Sequence, residues 1–169
     1  MLKLIFLSGL TFFSTIYNIE IKDVNDKTIN LTDFMGKKIL FVNIATNSPK
    51  VTQLASLESL RSQFPDSLVI IALPSNSFGN ESRSNSEISS FCQSNYDVHF
   101  LLASKNSVSG ASIQPIYHWL TVQNENGVMS QSVSGDFQKY LVDEAGNLVG
   151  VFAPSIDPMD TKLIEAIRQ

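Results

Sequence analysis

Residues 38–73 read KILFVNIATNSPKVTQLASLESLRSQFPDSLVIIAL, and this stretch determines the predicted architecture. It opens with a nearly continuous apolar run at 38–45, typical of a strand that is covered on both faces. After Ser48-Pro49, apolar side chains recur every three or four residues, which predicts a helix that starts at Ser48. Those side chains are Val51, Leu54, Leu57, Leu60 and Phe64. Pro65-Asp66 ends the helix and 68–73 predicts a second buried strand, so the stretch is a βαβ unit.

The sequence on either side adds strands and helices to this unit. Before it, 16–24 and 28–31 are predicted as the strands of a hairpin around Asn25-Asp26. After it come predicted helices at 86–95, 115–122 and 160–168, strands at 99–102, 139–143 and 149–152, and polar loops at 74–85 and 123–135. A βαβ unit followed by a ββα unit predicts the α/β class, with a thioredoxin-like mixed β-sheet and helices on both faces.

The composition excludes several classes of protein. The 169 residues are 43% hydrophobic and 17% charged, which supplies one sizeable core and rules out a disordered chain. The net charge of −4 argues against a general nucleic-acid surface. Cys92 is the single cysteine, so no intramolecular disulfide can form. Since there are also only two histidines, His99 and His118, no metal site and no cofactor are expected.

The first thirteen residues allow two interpretations. Lys3 precedes an apolar run too short to span a bilayer, which is the plan of a secretory signal, although no Ala-x-Ala cleavage site follows. The alternative is an N-terminal strand or hairpin that turns at Ser8-Gly9. Residues 1–13 are therefore separated from a domain at 14–169. The protein is exported or periplasmic under the first interpretation and cytoplasmic under the second, with no stable membrane span under either.

Short segments in order along the chain resemble the glutathione peroxidase family. They are IY at 16–17, VNIA at 42–45, Asn76, FG at 78–79, NSEISSFCQSNY at 85–96, PIYHWL at 115–120, FQKYLVD at 137–143, FAP at 152–154 and Pro158. The resemblance extends over residues 14–169. It implies a thioredoxin-like fold and thiol-dependent peroxide reduction in the response to oxidative stress.

The family's site residues are replaced in this sequence. The resemblance places the family's cysteine or selenocysteine nucleophile at Ser48 and its glutamine at Ser77. The tryptophan and asparagine fall on Gly135 and Asp136. Cys92 matches the resolving cysteine of the thioredoxin-dependent branch, but no first cysteine is present for it to resolve. Because a serine hydroxyl is too weak an acid to form the anion and cannot enter the sulfenic acid cycle, these replacements predict lost chemistry.

Each of these residues also has a purely structural interpretation. Ser48 followed by Pro49 is a good helix start, with a side-chain cap and a proline in the first turn. Ser77 is expected to cap a turn or face water, and Asp136 to accept local backbone hydrogen bonds as in an Asx-turn. Cys92 is expected to be a small half-buried residue beside Phe91.

Three functional hypotheses follow. The first is an inactive or very weak homologue, a pseudoenzyme whose old groove binds a thiol compound, a thioredoxin-like protein or a peptide. The second is a residual thiol peroxidase acting through Cys92. The third is a hydrolase that combines Ser48 with a histidine and Asp136, although nothing in the sequence directs His99 or His118 toward Ser48.

Overall fold

The computed structural model describes residues 15–169, so the predicted signal or first strand at 1–13 lies outside the described residues. The strands are β1 (Ile21–Lys22), β2 (Thr28–Ile29), β3 (Lys38–Ile44), β4 (Leu68–Pro74), β5 (Leu101–Leu102), β6 (Lys139–Val142) and β7 (Leu148–Phe152). The helices are α1 (Gln53–Gln63), α2 (Asn85–Tyr96), α3 (Pro115–Thr121), α4 (Gln123–Asn126) and α5 (Thr161–Arg168).

Five strands form the central sheet, in the order β5-β4-β3-β6-β7. β3 pairs in parallel with β4, and β4 pairs in parallel with β5. β6 runs antiparallel to both β3 and β7. This mixed sheet confirms the predicted fold class. The first two strands form the predicted hairpin as a separate two-stranded sheet.

The sheet separates two hydrophobic cores, because alternate side chains of its strands point to opposite faces. Leu40 and Val42 share one core with Leu54, Leu57 and Leu60 of α1. The other core contains Ile39 and Phe41, together with Ile116, Tyr117, Trp119 and Leu120 of α3. All seven residues of β3 are buried, which agrees with the continuous apolar run in the sequence.

Several predicted elements differ from the structure. Only Ile21–Lys22 of the first predicted strand is extended, because a 3-10 helix at Ile16–Asn18 precedes it. The second predicted strand likewise ends at Ile29, and Leu31–Phe34 forms another 3-10 helix. The predicted loop at 123–135 begins with α4, which ends at Gly127 in a left-handed conformation.

No helix within residues 15–169 has the length and apolar character needed to cross a membrane.

Candidate functional site

Ser48 lies in a run of turns between β3 and α1. Its hydroxyl oxygen accepts a hydrogen bond from the Lys50 N–H at 3.3 Å, and its carbonyl accepts one from the Val51 N–H at 3.0 Å. The following residues continue with i→i+3 bonds, which wind more tightly than an α-helix, so α1 begins only at Gln53. The prediction that α1 starts at Ser48 is therefore wrong by five residues, and the Ser48 side chain caps a local turn instead.

A buried carboxylate fixes the segment that leads into Ser48. Glu81 is fully buried and accepts hydrogen bonds from the Thr46 N–H at 2.6 Å and from the Thr46 hydroxyl at 2.8 Å. The Arg83 guanidinium donates to the Thr46 hydroxyl and to the side-chain oxygen of Asn47, and it lies 4.6 Å above the Phe91 ring. The turn that carries Ser48 is thus attached to the beginning of α2.

Asp136 is linked by hydrogen bonds through Asn80 to the turn that precedes Ser48. The Asn80 side-chain amide donates to Asp136 Oδ2 at 2.7 Å, while the Asn80 carbonyl accepts from the Asn47 N–H at 3.1 Å. The predicted Asx-turn is wrong, because the hydrogen-bond partner of the Asp136 carboxylate is a side chain 56 positions away. The residue is 6% exposed, and its Oδ1 has no hydrogen-bond partner in the described chain.

Gly135 is positioned by β3. The Asn43 side chain donates to the Gly135 carbonyl at 2.9 Å, and the Asn43 carbonyl accepts from the Phe137 N–H at 2.6 Å. Phe137 adopts a positive φ of 67°, which is uncommon for a residue other than glycine. Gly135 and Asp136 therefore lie near the carboxyl end of β3, from which the turn that carries Ser48 also begins.

Ser77 belongs to a different part of the site. Its hydroxyl accepts from the Val108 N–H at 3.1 Å and bonds to the Ser75 hydroxyl at 3.0 Å. Among residues 15–169, no hydrogen bond joins Ser77 to Ser48, Gly135 or Asp136. The loops thus connect Ser48 with Asp136, whereas Ser77 is tied to the segment that follows β5.

Cys92 is more buried than expected. The residue is fully buried in the core below α2, rather than half-buried. Burial, together with the nearby negative charge of Glu81, raises the pKa of its thiol to about 12. Its helix is well capped: Ser84 and Glu87 form a capping box, and Asp97 ends the helix in a left-handed conformation. The thiol is therefore protonated and shielded at neutral pH.

Neither histidine is paired with Ser48. His99 Nδ1 lies 3.6 Å from a carboxylate oxygen of Glu58, and His118 Nδ1 lies 4.0 Å from a carboxylate oxygen of Glu125. The Ser48 hydroxyl has its hydrogen bond with the backbone of Lys50. The catalytic triad of the hydrolase hypothesis does not form within the described residues.

Sequence reasoning missed a buried lysine beside the start of α1. The Lys139 ammonium is fully buried and donates to the Gln53 side chain and to the Ile156 carbonyl. Burial lowers its pKa to about 8. The available signal was a charged residue within the apolar strand sequence KYLV at 139–142. Glu81 gave no such signal, because it lies in a polar loop.

The sequence model of glutathione peroxidase matches residues 16–121. A glutathione peroxidase of Lactococcus lactis is 33% identical over 144 residues, which cover 84% of this chain and 91% of that protein. The glutathione peroxidase homolog BsaA of Bacillus subtilis is 30% identical over 92% of this chain and 99% of its own.

Solved structures give the same result. The crystal structure of Trgpx in apo form superposes with a TM-score of 0.70 at 27% identity, covering 92% of this chain and 97% of its own. A thiol:disulfide interchange protein of the thioredoxin family from Chlorobium tepidum superposes with a TM-score of 0.64 at 10% identity, covering 92% and 97% of the two chains. The second likeness concerns the fold alone.

Proposed function

Because this chain belongs to the glutathione peroxidase family, we propose that it is a member that has lost peroxide reduction and keeps a binding role. The observation that carries the proposal is the lack of a reactive thiol among the described residues. Serine occupies the nucleophile position, and the one thiol lies fully buried with its pKa raised to about 12. Peroxide reduction requires an accessible thiolate, and this chain offers none at neutral pH.

The surroundings of Ser48 support the same proposal. A family member stabilises the reacting anion with side-chain N–H donors, as the resemblance implies. Here Gly135 has no side chain, and Ser77 uses its hydroxyl to hold the Val108 backbone. The resemblance assigns the family's asparagine to Asp136, and a carboxylate next to an anion would raise the anion's energy where an amide would donate to it.

The competing function, a residual peroxidase acting through Cys92, finds little support in the geometry. The thiolate is the nucleophile in such chemistry, and burial in an apolar core disfavours it. Bringing the Cys92 thiol to the surface would also require α2 to unwind, although both of its ends are capped and Arg83, which precedes its N-cap, is bonded to Thr46 and Asn47.

Retention of the fold without the chemistry favours binding as the remaining role. The partners that fit a former peroxidase groove are a thiol compound, a thioredoxin-like protein or a peptide. Each would bind without a change in oxidation state.

The decisive experiment is a peroxide-consumption assay with the full chain. Wild-type protein, with either glutathione or a thioredoxin system as reductant, should consume hydrogen peroxide no faster than the matched Cys92→Ala variant. A rate above the reagent blank that disappears in Cys92→Ala would favour the Cys92 peroxidase instead. A rate that persists in Cys92→Ala but disappears in Ser48→Ala would show that Ser48 takes part in chemistry and would refute the proposal.

A further inference from the structure

A polar pocket of about 440 Å³ opens beside Ser77. Its walls are the turn after β4, with Asn76 and Ser77, and the segment after β5, with Lys105, Asn106 and Ser107. Within residues 15–169, its lining consists of two amide, two hydroxyl and one ammonium side chain, with no apolar side chain and no carboxylate. The resemblance places the family's glutamine at position 77, where this chain has a serine.

Each of the two asparagines of the pocket has its amide oxygen hydrogen-bonded to the backbone. Asn76 Oδ1 accepts from the Glu81 N–H at 2.9 Å, and Asn106 Oδ1 accepts from the Ser107 N–H at 2.8 Å. Since backbone N–H groups occupy both amide oxygens, these bonds also fix which end of each amide is the oxygen. The NH₂ group of each side chain is left to donate elsewhere.

Lys105 gives the pocket its charge. One of its three N–H groups donates to the Arg83 carbonyl, so two remain for another acceptor. The ammonium interacts electrostatically with the carboxylate of Glu87, which also accepts hydrogen bonds from the hydroxyl and the N–H of Ser84. The lining therefore combines a cation with two amide groups and two hydroxyl groups, and Glu87, the anion near Lys105, is not among the described residues that line the pocket.

The walls are held in place by their own hydrogen bonds. The Lys105 N–H donates to Asn85 Oδ1 at 2.8 Å, and the Asn106 N–H donates to the Pro74 carbonyl at 3.0 Å. The Val108 N–H donates to the Ser77 hydroxyl, which joins the two walls directly. A ligand entering this pocket would not have to order a loop, and such preorganisation favours binding.

We propose that this pocket binds a small molecule through an oxyanion, either a carboxylate or a phosphate group. The excess of donors over acceptors and the Lys105 ammonium match the charge and the lone pairs of such a group. The proposal rests on the proposed function, because it assigns a ligand class to the binding role that remains once the chemistry is lost.

The test is an NMR titration of the ¹⁵N-labelled full chain with succinate, with inorganic phosphate and with succinamide, the neutral analogue of succinate. Succinate or phosphate should shift the backbone amide signals of Ser77, Asn106 and Ser107 in a saturable way, and succinamide should not. Saturation by succinate alone identifies a carboxylate ligand, and saturation by phosphate alone identifies a phosphate ligand.

Two variants sharpen this test. Lys105→Met removes a charged donor and should weaken binding by about tenfold or more, whereas Lys162→Met, which removes an exposed lysine on α5, should leave it unchanged. Ser77→Gln changes a side chain that lines the pocket and leaves Lys105 in place, so weaker binding in this variant remains informative if Lys105→Met fails to fold.

Three results would overturn the inference: no saturation by either anion, equal binding of succinamide, or equal loss in Lys162→Met. The peroxide assay is independent of these outcomes. Peroxidase activity would refute the proposed function even if anions bind, whereas absent anion binding in an inactive protein would refute this inference alone.

Discussion

Raising the pH should cost this protein stability through Cys92. The thiol is fully buried, and its pKa is raised from 9.0 to about 12 in the folded chain. On unfolding, the thiol regains its ordinary pKa and ionises once the pH passes 9, which stabilises the unfolded state only. The free energy of unfolding is therefore unaffected by this group below pH 9 and falls as the pH rises toward 12.

The size of the effect follows from the two pKa values. Between pH 8 and pH 10 the unfolded thiol becomes mostly ionised while the folded one stays protonated, which lowers the free energy of unfolding by ~1.3 kcal/mol. The same shift makes the thiolate ~1000-fold rarer at neutral pH than in a free cysteine, so native Cys92 should react with iodoacetamide about that much more slowly.

Urea unfolding of wild type and Cys92→Ala at pH 8, 9 and 10 isolates this contribution, since every other titrating group is common to both proteins. Cys92→Ala is expected to be less stable at pH 8 because it leaves a cavity, and the gap should shrink as the pH rises. A gap that stays constant to pH 10, or an alkylation midpoint at or below 9, would show that the thiol is not desolvated as described.

Three further predictions concern the site. In the wild type, the free energy of unfolding should rise by ~1.3 kcal/mol between pH 7 and 9 through Lys139. The folded lysine, with its pKa lowered to about 8, loses its unfavourable buried charge over this range, while the unfolded lysine stays charged. Lys139→Met should abolish this rise, which urea unfolding of both proteins at each pH measures. Ser48→Ala should lower stability by ~0.5–1 kcal/mol through loss of the Lys50 cap and leave peroxide consumption unchanged, and any fall in rate would contradict the structural role. Ser48→Cys alone should reduce peroxide only slowly. Adding Ser77→Gln, Gly135→Trp and Asp136→Asn should raise the second-order rate constant of peroxide consumption more than additively. Equal rate constants for the single and the quadruple variant would disprove the role given to these three neighbours.

The central sheet could be predicted because its signals are local. The apolar run at 38–45 and the spacing of Leu54, Leu57 and Leu60 each require burial, and only a covered strand and a packed helix provide it. The turn between Asp143 and Asn147 was likewise predictable, because Gly146 supplies the positive φ that it needs.

The details of the site were not predictable, because they depend on contacts between distant parts of the chain. Nothing near Ser48 indicates that α1 begins five residues later, since a serine and a proline fit the first turn of either helix type. Glu81 is buried where its carboxylate accepts hydrogen bonds from Thr46, which lies 35 positions earlier in the chain, and the polar loop around Glu81 does not indicate this contact. Cys92 was expected to be half-buried because helical spacing gives the face of a residue but not the depth of the core beneath it.

The double use of Asn80 has a consequence for the motion of the site. Its carbonyl holds the Asn47 N–H and its side chain holds the Asp136 carboxylate, so the turn before Ser48 and the loop before β6 are joined at one residue. Fluctuations that open one loop should therefore loosen the other, and the amide hydrogens of Asn47 and Phe137 should exchange with solvent at correlated rates. In Asn80→Ala, whose carbonyl is intact, exchange at Phe137 should accelerate more than exchange at Asn47.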